Sequence, residues 1–281
     1  MKIHSFKEVI QEYDTILLDS YGVLKNYEGI IEGAQESLKN IRTHNKRYRI
    51  LTNDASSSQE LLSQKFAMGG ITIRPHRIIT SGLMAQRFLT SKNIEGKVLY
   101  LGTERSADFI VRAGQEKISI TEFQHENFNQ IGCVVFLDDE GYDWNVAINK
   151  VVNLLRKTAI PVIVANSDLI YPTTRNDVSI ATGAIAKLVE SIVGRKFIYY
   201  GKPDVQMFLF AFEELKKDDA HLDKSKILMV GDTLHTDILG ATKFGIDTVL
   251  VLSGNTTHAD VEWMIKSSGI SPDYVCESIL T

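Results

Sequence analysis

The stretch Thr15-Ile-Leu-Leu-Asp-Ser-Tyr-Gly-Val-Leu24 decides how the rest of the chain is interpreted. Its leucine-rich and β-branched first residues predict a buried strand that ends at Asp19, and Gly22 lets the chain turn away from that strand. In an open α/β sheet, ligands bind in the crevice outside the carboxyl ends of the strands. Asp19 therefore meets a ligand, pairs with a buried cation or caps a turn, and the stretch alone leaves these interpretations open.

Length and composition restrict the class of protein and its partners. The chain has 281 residues, of which 44% are hydrophobic and 23% charged, and its formal net charge is −4. This length suggests two moderate domains or one large one. Because no basic excess and no Lys/Arg cluster is visible, neither nucleic acid nor an anionic membrane is expected as a partner. The expected ligand is small.

Cysteine usage and the N-terminal sequence bear on the cellular compartment. Cys133 and Cys276 each stand in an apolar run that predicts a strand, so buried free thiols are expected rather than a disulfide. The first residues lack the pattern of a signal peptide, and no apolar run approaches the roughly eighteen residues of a membrane span. These features predict a cytoplasmic protein.

The predicted fold class is α/β, with a Rossmann-like, doubly wound parallel sheet as the core. From about residue 92 the alternation of strands and helices begins again, with strand signals at 97–102, 132–138 and 161–166. This βαβαβ pattern predicts a second α/β unit inserted between strands of the first. The predicted division is a core of residues 1–82 plus 196–281 and an inserted domain of residues 83–195.

Two further strand signals end in polar residues. Residues 48–54 lead from a strand to a capping box at Ser57, so Thr52 and Asn53 lie where free backbone N–H groups bind anions, unless they only cap a turn. Residues 196–204 lead to Lys202, which is either a ligand contact or a surface lysine.

The strongest later signal is a pair of aspartates. A buried strand over 226–231 is followed at once by Asp232, and Asp237 comes five residues after it, at the start of a helix. Two carboxylates so close raise each other's pKa unless a cation lies between them, and oxygen ligands suit Mg²⁺. They are predicted metal ligands; the alternative is a turn residue and a helix cap.

These stretches are expected to form one site, because a parallel sheet brings the carboxyl ends of its strands to one edge. The site would contain a carboxylate nucleophile, donors for an anion, a cation and carboxylates for a metal. Those groups are needed for phosphoryl transfer to an aspartate, in which the protein aligns the reactants and neutralises charge. We expect Asp19 and Asp232 to hold Mg²⁺ jointly and Lys202 to balance the phosphate.

Four ordered stretches resemble the motifs of the haloacid dehalogenase-like superfamily: Leu18-Asp-Ser-Tyr-Gly-Val-Leu24, Leu51-Thr-Asn53, Gly201-Lys-Pro203 and Gly231-Asp-Thr-Leu-His-Thr-Asp237. The inserted unit lies between the second and third stretches. There the class IIA branch of sugar-phosphate and nitrophenyl-phosphate phosphatases carries a large α/β cap. The resemblance covers nearly the whole chain and implies a Mg²⁺-dependent phosphatase that acts on a small phosphorylated metabolite.

The resemblance also implies roles for individual residues. Asp19 would be the nucleophile that forms an aspartyl phosphate, and Lys202 would contact both this nucleophile and the phosphate. The other implied sets are Thr52 and Asn53 on the phosphate; Asp19, the backbone carbonyl of Tyr21, Asp232 and Asp237 around Mg²⁺; and Asn166 and Asp168 of the cap on the substrate.

Tyr21 departs from the family pattern, which usually has at this catalytic position an Asp that protonates the leaving alcohol. A phenol with a pKa near ~10 is a poor proton donor at neutral pH, and loss of a placed general acid lowers rates by ~10²–10⁴. Esters with poor leaving groups are therefore expected to react slowly, and acyl or aryl phosphates should suffer least.

Two other functions stay open. A weakly active or non-catalytic phosphate-binding protein would bind Mg²⁺ and phosphate without turnover. Haloacid dehalogenases themselves carry Tyr at the position of Tyr21, but halide displacement needs no Mg²⁺, and the spacing of Asp232 and Asp237 resembles the phosphatase form. A homodimer formed through the cap also stays open.

Overall fold

The computed structural model describes residues 2–174 and 177–280. The helices of this part of the chain are α1 (Phe6–Val9), α2 (Ala34–Thr43), α3 (Gln59–Met68), α4 (Ser81–Ser91), α5 (Asp108–Arg112), α6 (Trp144–Leu155), α7 (Thr182–Val193), α8 (Val205–Asp218), α9 (Leu239–Phe244) and α10 (Val261–Ser268). The strands are β1 (Thr15–Leu18), β2 (Lys25–Asn26), β3 (Gly29–Ile30), β4 (Arg47–Thr52), β5 (Ile78–Thr80), β6 (Lys97–Leu101), β7 (Lys117–Ser119), β8 (Ile131–Phe136), β9 (Val162–Val164), β10 (Ile170–Pro172), β11 (Val178–Ile180), β12 (Ile198–Tyr199), β13 (Ile227–Gly231), β14 (Asp247–Val251) and β15 (Tyr274–Cys276).

The core sheet has the strand order β15-β14-β13-β1-β4-β5, and all of its pairs are parallel. β1 lies between β13 and β4, and Leu18 is in register with Val230 on one side and Ile50 on the other. The carboxyl ends of these three strands are therefore side by side. The segments that follow these three strands therefore lie at the same edge of the sheet.

Helices cover both faces of the core sheet. Along β1, Ile16 and Leu18 belong to an apolar cluster with α2 and α3, whereas Leu17 belongs to a cluster with α8. All four residues of β1 are buried on account of this two-sided cover, which explains why Thr15–Leu18 is continuously apolar after its threonine. The predicted doubly wound parallel core is confirmed.

The inserted unit forms a second parallel sheet with the order β12-β9-β8-β6-β7. One face packs against α6 and α7, and the other packs with α4 and α5 onto the cluster that includes α8 of the core. The predicted second α/β unit is thus confirmed. The edge strand β7 was not predicted, because its three residues follow a polar stretch.

One strand lies in a different sheet from the one expected. β12 pairs with β9 of the second sheet, so the prediction that Lys202 follows a strand of the core sheet was wrong. The sequence signal marks an extended segment but carries no information about its pairing partner. After β12 the chain crosses directly to α8 of the core, and Lys202 lies in that crossing.

Three other local features differ from the expectations. The apolar residues between 71 and 80 also predict a strand, but only β5 is observed there, because Pro75 begins a 3₁₀ turn, Pro75–Arg77, directly before it. Two short antiparallel hairpins, β2–β3 and β10–β11, were also not predicted. The first follows Asp19 in the chain, and the second follows Asp168.

Cys133 and Cys276 are free and fully buried, as predicted. Across the described residues, no helix combines the length and the apolar character that a membrane crossing requires.

Phe208 on α8 tests the packing of the core. Its ring is completely buried and stacks on Phe244, with 6.1 Å between the ring centroids. Phe208→Ala is expected to lower the free energy of unfolding by about 3–5 kcal/mol, because the change removes contacts and leaves a cavity. Equilibrium unfolding in urea measures the effect. In the control Leu209→Ala, a neighbouring side chain that is 44% exposed is removed, at an expected cost below ~1 kcal/mol. Equal costs for the two variants would contradict the packing described here.

Candidate active site

Asp19 is held rigidly at the carboxyl end of β1. Its backbone N–H donates to the carbonyl of Val230, which continues the ladder between β1 and β13 for one residue. The side-chain Oδ1 accepts the backbone N–H of Ser20 at 2.7 Å and lies 2.6 Å from Nζ of Lys202. Asp19 is nearly buried, with 8% of its surface exposed. One carboxylate oxygen is therefore oriented by two donors.

Lys202 lies between two aspartates. Its Nζ is 2.6 Å from Oδ1 of Asp19 and 2.6 Å from Oδ1 of Asp237, and the residue is 2% exposed. Burial acts to lower the pKa of Lys202, but the two carboxylates outweigh it and hold the pKa above its ordinary value. The ammonium is consequently a permanent positive charge. It reaches the site from the crossing between the two sheets, not from a core strand.

Asp232 and Asp237 lie together where β13 ends. Asp232 directly follows the strand, and a π-helical turn, Leu234–Ile238, brings Asp237 back towards it. Oδ2 of Asp237 accepts the backbone N–H of Thr233 at 3.1 Å, and Oδ1 of Asp232 accepts the hydroxyl of the same threonine at 3.0 Å. Both aspartates are buried, with 1% and 0% exposure.

Three carboxylates fit a divalent cation. Asp19, Asp232 and Asp237 each offer an oxygen, and these oxygens all lie within 4.8 Å of one another. Burial raises the pKa of Asp232, with further increases from Asp237 and Asp19; burial likewise raises the pKa of Asp237, against the opposing effect of Lys202. A single ammonium does not balance three buried carboxylates. An all-oxygen donor set of this kind suits Mg²⁺.

A loop that sequence reasoning missed holds Asp232 in place. The loop Ser253–Thr256 follows β14, and the backbone N–H of Asn255 donates to Oδ2 of Asp232 at 2.6 Å. Thr256 donates its N–H and its hydroxyl to the backbone carbonyl of Asp232. The available signal was the polar Ser-Gly-Asn-Thr cluster directly after an apolar strand.

Two glycines allow this close approach. A Cβ placed on Gly22 would lie 2.1 Å from Oδ2 of Asp232, and a Cβ on Gly254 would lie 2.0 Å from the same oxygen. Gly22 also has a φ of +72°, which side-chain-bearing residues rarely adopt. The turn after Asp19 and the loop after β14 thus enclose one carboxylate from two sides.

Thr52 ends β4 and Asn53 follows it, as predicted, but the surroundings of Asn53 differ from those of the predicted anion site. Thr52 accepts the N–H of Asp54 through Oγ1 at 3.3 Å, which leaves its own hydroxyl proton free to donate to a ligand. Oδ1 of Asn53 accepts the N–H of Lys202 at 2.7 Å. Its amide group donates to the carbonyl of Lys202 at 3.0 Å and to Asp168 Oδ1 at 2.8 Å. Asn53 therefore links the core to the inserted unit.

The inserted unit contacts the site through residues 166–168. Oδ1 of Asn166 accepts the N–H of Asp168 at 2.9 Å, so this amide oxygen faces its own loop. Ser167 donates its hydroxyl to the carbonyl of Lys202 at 2.6 Å. Asp168 is half-buried against Asn53. Through Asn53 and Lys202, this short segment is connected to Asp19.

Tyr21 also contacts the inserted unit. Its hydroxyl donates to the carbonyl of Pro172 in β10 at 3.4 Å. Burial raises the pKa of Tyr21 above its ordinary value, and the nearby Asp232 raises it further. The phenol is therefore a weak acid that is directed towards a backbone carbonyl.

Comparisons with known sequences give one consistent family. A sequence model described as haloacid dehalogenase-like hydrolase matches residues 16–116, and a second model, of haloacid dehalogenase-hydrolase-like proteins, matches residues 199–281. The acid sugar phosphatase of Staphylococcus haemolyticus is 26% identical over 255 residues, which cover 90% of each chain. The dihydroxyacetone phosphatase of Corynebacterium glutamicum is 28% identical and covers 94% of this chain and 88% of its own.

A solved structure resembles the whole chain. The protein from Cytophaga hutchinsonii described as a "possible sugar phosphatase, HAD superfamily" superimposes with a TM-score of 0.95 at 45% identity, over 100% of this chain and 99% of that one. The p-nitrophenyl phosphatase of Archaeoglobus fulgidus shares the fold, with a TM-score of 0.81 at 23% identity over 95% of this chain and 97% of its own.

Gly254 tests whether the enclosed carboxylate binds a cation. In Gly254→Ala the new Cβ would displace Asp232, so we expect Mg²⁺ or Mn²⁺ to bind ~10–100-fold more weakly, as when the partners of a metal ligand are lost. Isothermal titration calorimetry measures this affinity without any substrate. Gly114→Ala is the control for backbone strain away from the site: Gly114 lies in the second unit with a φ of +75°, and a Cβ there meets nothing within 4 Å, so cation affinity should not change. Unchanged cation affinity in Gly254→Ala would contradict the role of Asp232.

Proposed function

Because the chain belongs to the haloacid dehalogenase-like hydrolase superfamily and is a phosphatase, we propose that it hydrolyses a small phosphate ester with Asp19 as the nucleophile. The observation that carries this proposal is the carboxylate of Asp19, which two donors orient at the end of β1. An oriented carboxylate attacks phosphorus and forms an aspartyl phosphate, which water then hydrolyses. Alignment of this kind supplies much of the acceleration in phosphoryl transfer.

The charge on the phosphate must be neutralised where the nucleophile attacks. Lys202 supplies a permanent positive charge at the nucleophile, and Thr52 offers a hydroxyl proton. The amide of Asn53 is engaged with Lys202 and the cap, so we assign Asn53 the task of placing Lys202 and propose that any contact with phosphate is secondary.

We propose Mg²⁺ as the cofactor, held by Asp19, Asp232, Asp237 and the backbone carbonyl of Tyr21. When bound, the cation offsets the repulsion between a carboxylate nucleophile and a phosphate dianion. The protein contributes by fixing the positions of the carboxylate oxygens that would bind the cation. The Ser253–Thr256 loop orients Asp232, and Thr233 orients Asp237.

The proposed substrate is a sugar phosphate or a similar phosphorylated metabolite. The names of the sugar and dihydroxyacetone phosphatases among the relatives support this class. Asn166 and Asp168 are the proposed substrate contacts of the cap, whose predicted bounds are residues 83–195. A cytoplasmic location and a homodimer stay predictions.

The nucleophile can be tested with activated phosphates. Asp19→Asn is expected to lower the Mg²⁺-dependent hydrolysis of p-nitrophenyl phosphate and acetyl phosphate at least ~10³-fold, because an amide does not attack phosphorus. Release of phosphate measures the rate. The control is Asp14→Asn, an exposed aspartate just before the same strand, which should retain full activity. Full activity in Asp19→Asn would overturn the mechanism. Binding of Mg²⁺ and phosphate by the wild type without any turnover would favour the non-catalytic alternative.

Tyr21 can be tested by varying the leaving group. Tyr21→Asp places a carboxylic acid beside the nucleophile, so we expect faster turnover of alkyl phosphates and little change with acetyl phosphate, whose leaving group needs no proton. Parallel kcat/KM measurements on glycerol phosphate and acetyl phosphate give the ratio. Tyr21→Phe, which removes only the bond to Pro172, is the control for lost contact with the cap. An equal change on both substrates would show that position 21 does not act on the leaving group.

A further inference from the structure

Asp168 is a cap carboxylate connected to the nucleophile through two residues. Its Oδ1 accepts the amide of Asn53 at 2.8 Å, and Asn53 accepts the backbone N–H of Lys202 at 2.7 Å. Nζ of Lys202 lies 2.6 Å from Asp19. These contacts connect a carboxyl group of the cap to the nucleophile.

The segment that carries Asp168 is fixed against the core. Ser167 donates to the carbonyl of Lys202, and Asn166 accepts the N–H of Asp168. Gly183 at the start of α7 approaches closely: a Cβ there would lie 2.5 Å from the carbonyl oxygen of Ser167. Oδ2 of Asp168 has no hydrogen-bond partner within residues 2–174 and 177–280. One oxygen is thus anchored, and the other is available to a ligand.

The geometry of the reaction requires a proton donor on the cap side. In phosphoryl transfer the attacking and leaving oxygens are roughly in line, so the leaving oxygen lies opposite Asp19. The core supplies the nucleophile, and the cap contacts the core next to it through Asp168 and Pro172. The hydroxyl of Tyr21 is directed at Pro172, and the ammonium of Lys202 is paired with Asp19 and Asp237. Asp138 and Asp139 of the cap accept hydrogen bonds from other cap residues, Thr103 and Tyr171, whereas Asp168 accepts one from Asn53 of the core.

The surroundings of Asp168 suit proton transfer near neutral pH. Burial raises the pKa of Asp168 to about 6; Asn53 and Lys202 act against this rise, and Asp19 and Asp54 add to it. The charged groups that face Asp168 are therefore Lys202, Asp19 and Asp54, all from the core. A group with a pKa close to the working pH serves well both as a donor and as an acceptor of protons.

We propose that Asp168 is the general acid and base of the reaction, and that the cap thereby supplies the proton that Tyr21 does not. This proposal rests on the phosphatase mechanism proposed above. In the first half-reaction, Asp19 bonds to phosphorus, the bond from phosphorus to the leaving oxygen breaks, and that oxygen takes the proton from Oδ2 of Asp168. In the second, Asp168 takes a proton from water, the water oxygen bonds to phosphorus, and Asp19 leaves as a carboxylate.

The two half-reactions give Asp168→Asn a distinctive expected kinetic pattern. The value of kcat/KM for glycerol phosphate should fall by ~10² or more, because an alkoxide then leaves without a proton. For p-nitrophenyl phosphate, kcat/KM should stay within ~3-fold, because this leaving group needs no acid. Its kcat should nevertheless fall, with a burst of about one p-nitrophenolate per site, because hydrolysis of the aspartyl phosphate lacks its base.

The pH profile gives a second readout. Since only the protonated acid can donate, kcat/KM of the wild type for glycerol phosphate should decline as the pH rises through about 6, and Asp168→Asn should lack this decline. The matched control is Asp177→Asn, an exposed cap aspartate directly before β11, which should behave as the wild type. If Asp168→Asn does not fold, as judged by thermal unfolding, the same rates and pH profile are measured with Asp168→Ser.

Restoring an acid at position 21 completes the test. In Tyr21→Asp/Asp168→Asn, glycerol phosphate turnover should recover at least ~10-fold over Asp168→Asn alone, because the two carboxyl groups perform the same task. Equal losses of kcat/KM on both substrates, or a raised KM at unchanged kcat, would overturn the proposal and make Asp168 a binding residue. If Asp19→Asn stays active, the phosphatase mechanism fails. If Asp19→Asn is inactive and Asp168→Asn is not selective, the role of Asp168 alone fails.

Discussion

The site depends on one buried ammonium placed between carboxylates. Lys202 lies 2.6 Å from both Asp19 and Asp237, and all three side chains are almost inaccessible to water. Buried carboxylates are costly unless they are paired, so the lysine makes it possible to concentrate acidic groups at one sheet edge. The pairing is only partial, since three carboxylates face one ammonium, and the remaining negative charge would favour the binding of a cation.

Much of this arrangement could be predicted because the end of a buried strand is visible in the sequence as a change from apolar to polar residues. Asp19, Thr52 and Asp232 directly follow or end central strands, and the register of a parallel sheet then brings them together. The partner of β12 could not be predicted, because a strand of two residues carries no pairing information. The orientation of Asp232 by the N–H of Asn255 was equally hidden, because every non-proline residue carries such a donor.

The link through Asn53 shows a different limit of sequence reasoning. An asparagine after a strand suggests a turn or an anion site, and both interpretations are local. In the structure the amide of Asn53 donates a hydrogen bond to Asp168, which is 115 residues away in the sequence. Donors and acceptors on a single amide allow the cap, the lysine and the core to be held by one side chain. Only the tertiary structure reveals this use.

The crossing from β12 to α8 has a consequence for how such enzymes could diversify. Lys202 comes three residues after the end of the cap strand β12, so the cap and the ammonium are successive parts of one segment. A foreign cap grafted onto this core would have to reproduce the path of the chain through Pro203 as well as the contacts that residues 166–168 make with the core. An exchange of the cap would then replace the cap loops and the lysine that balances the charge of Asp19 together.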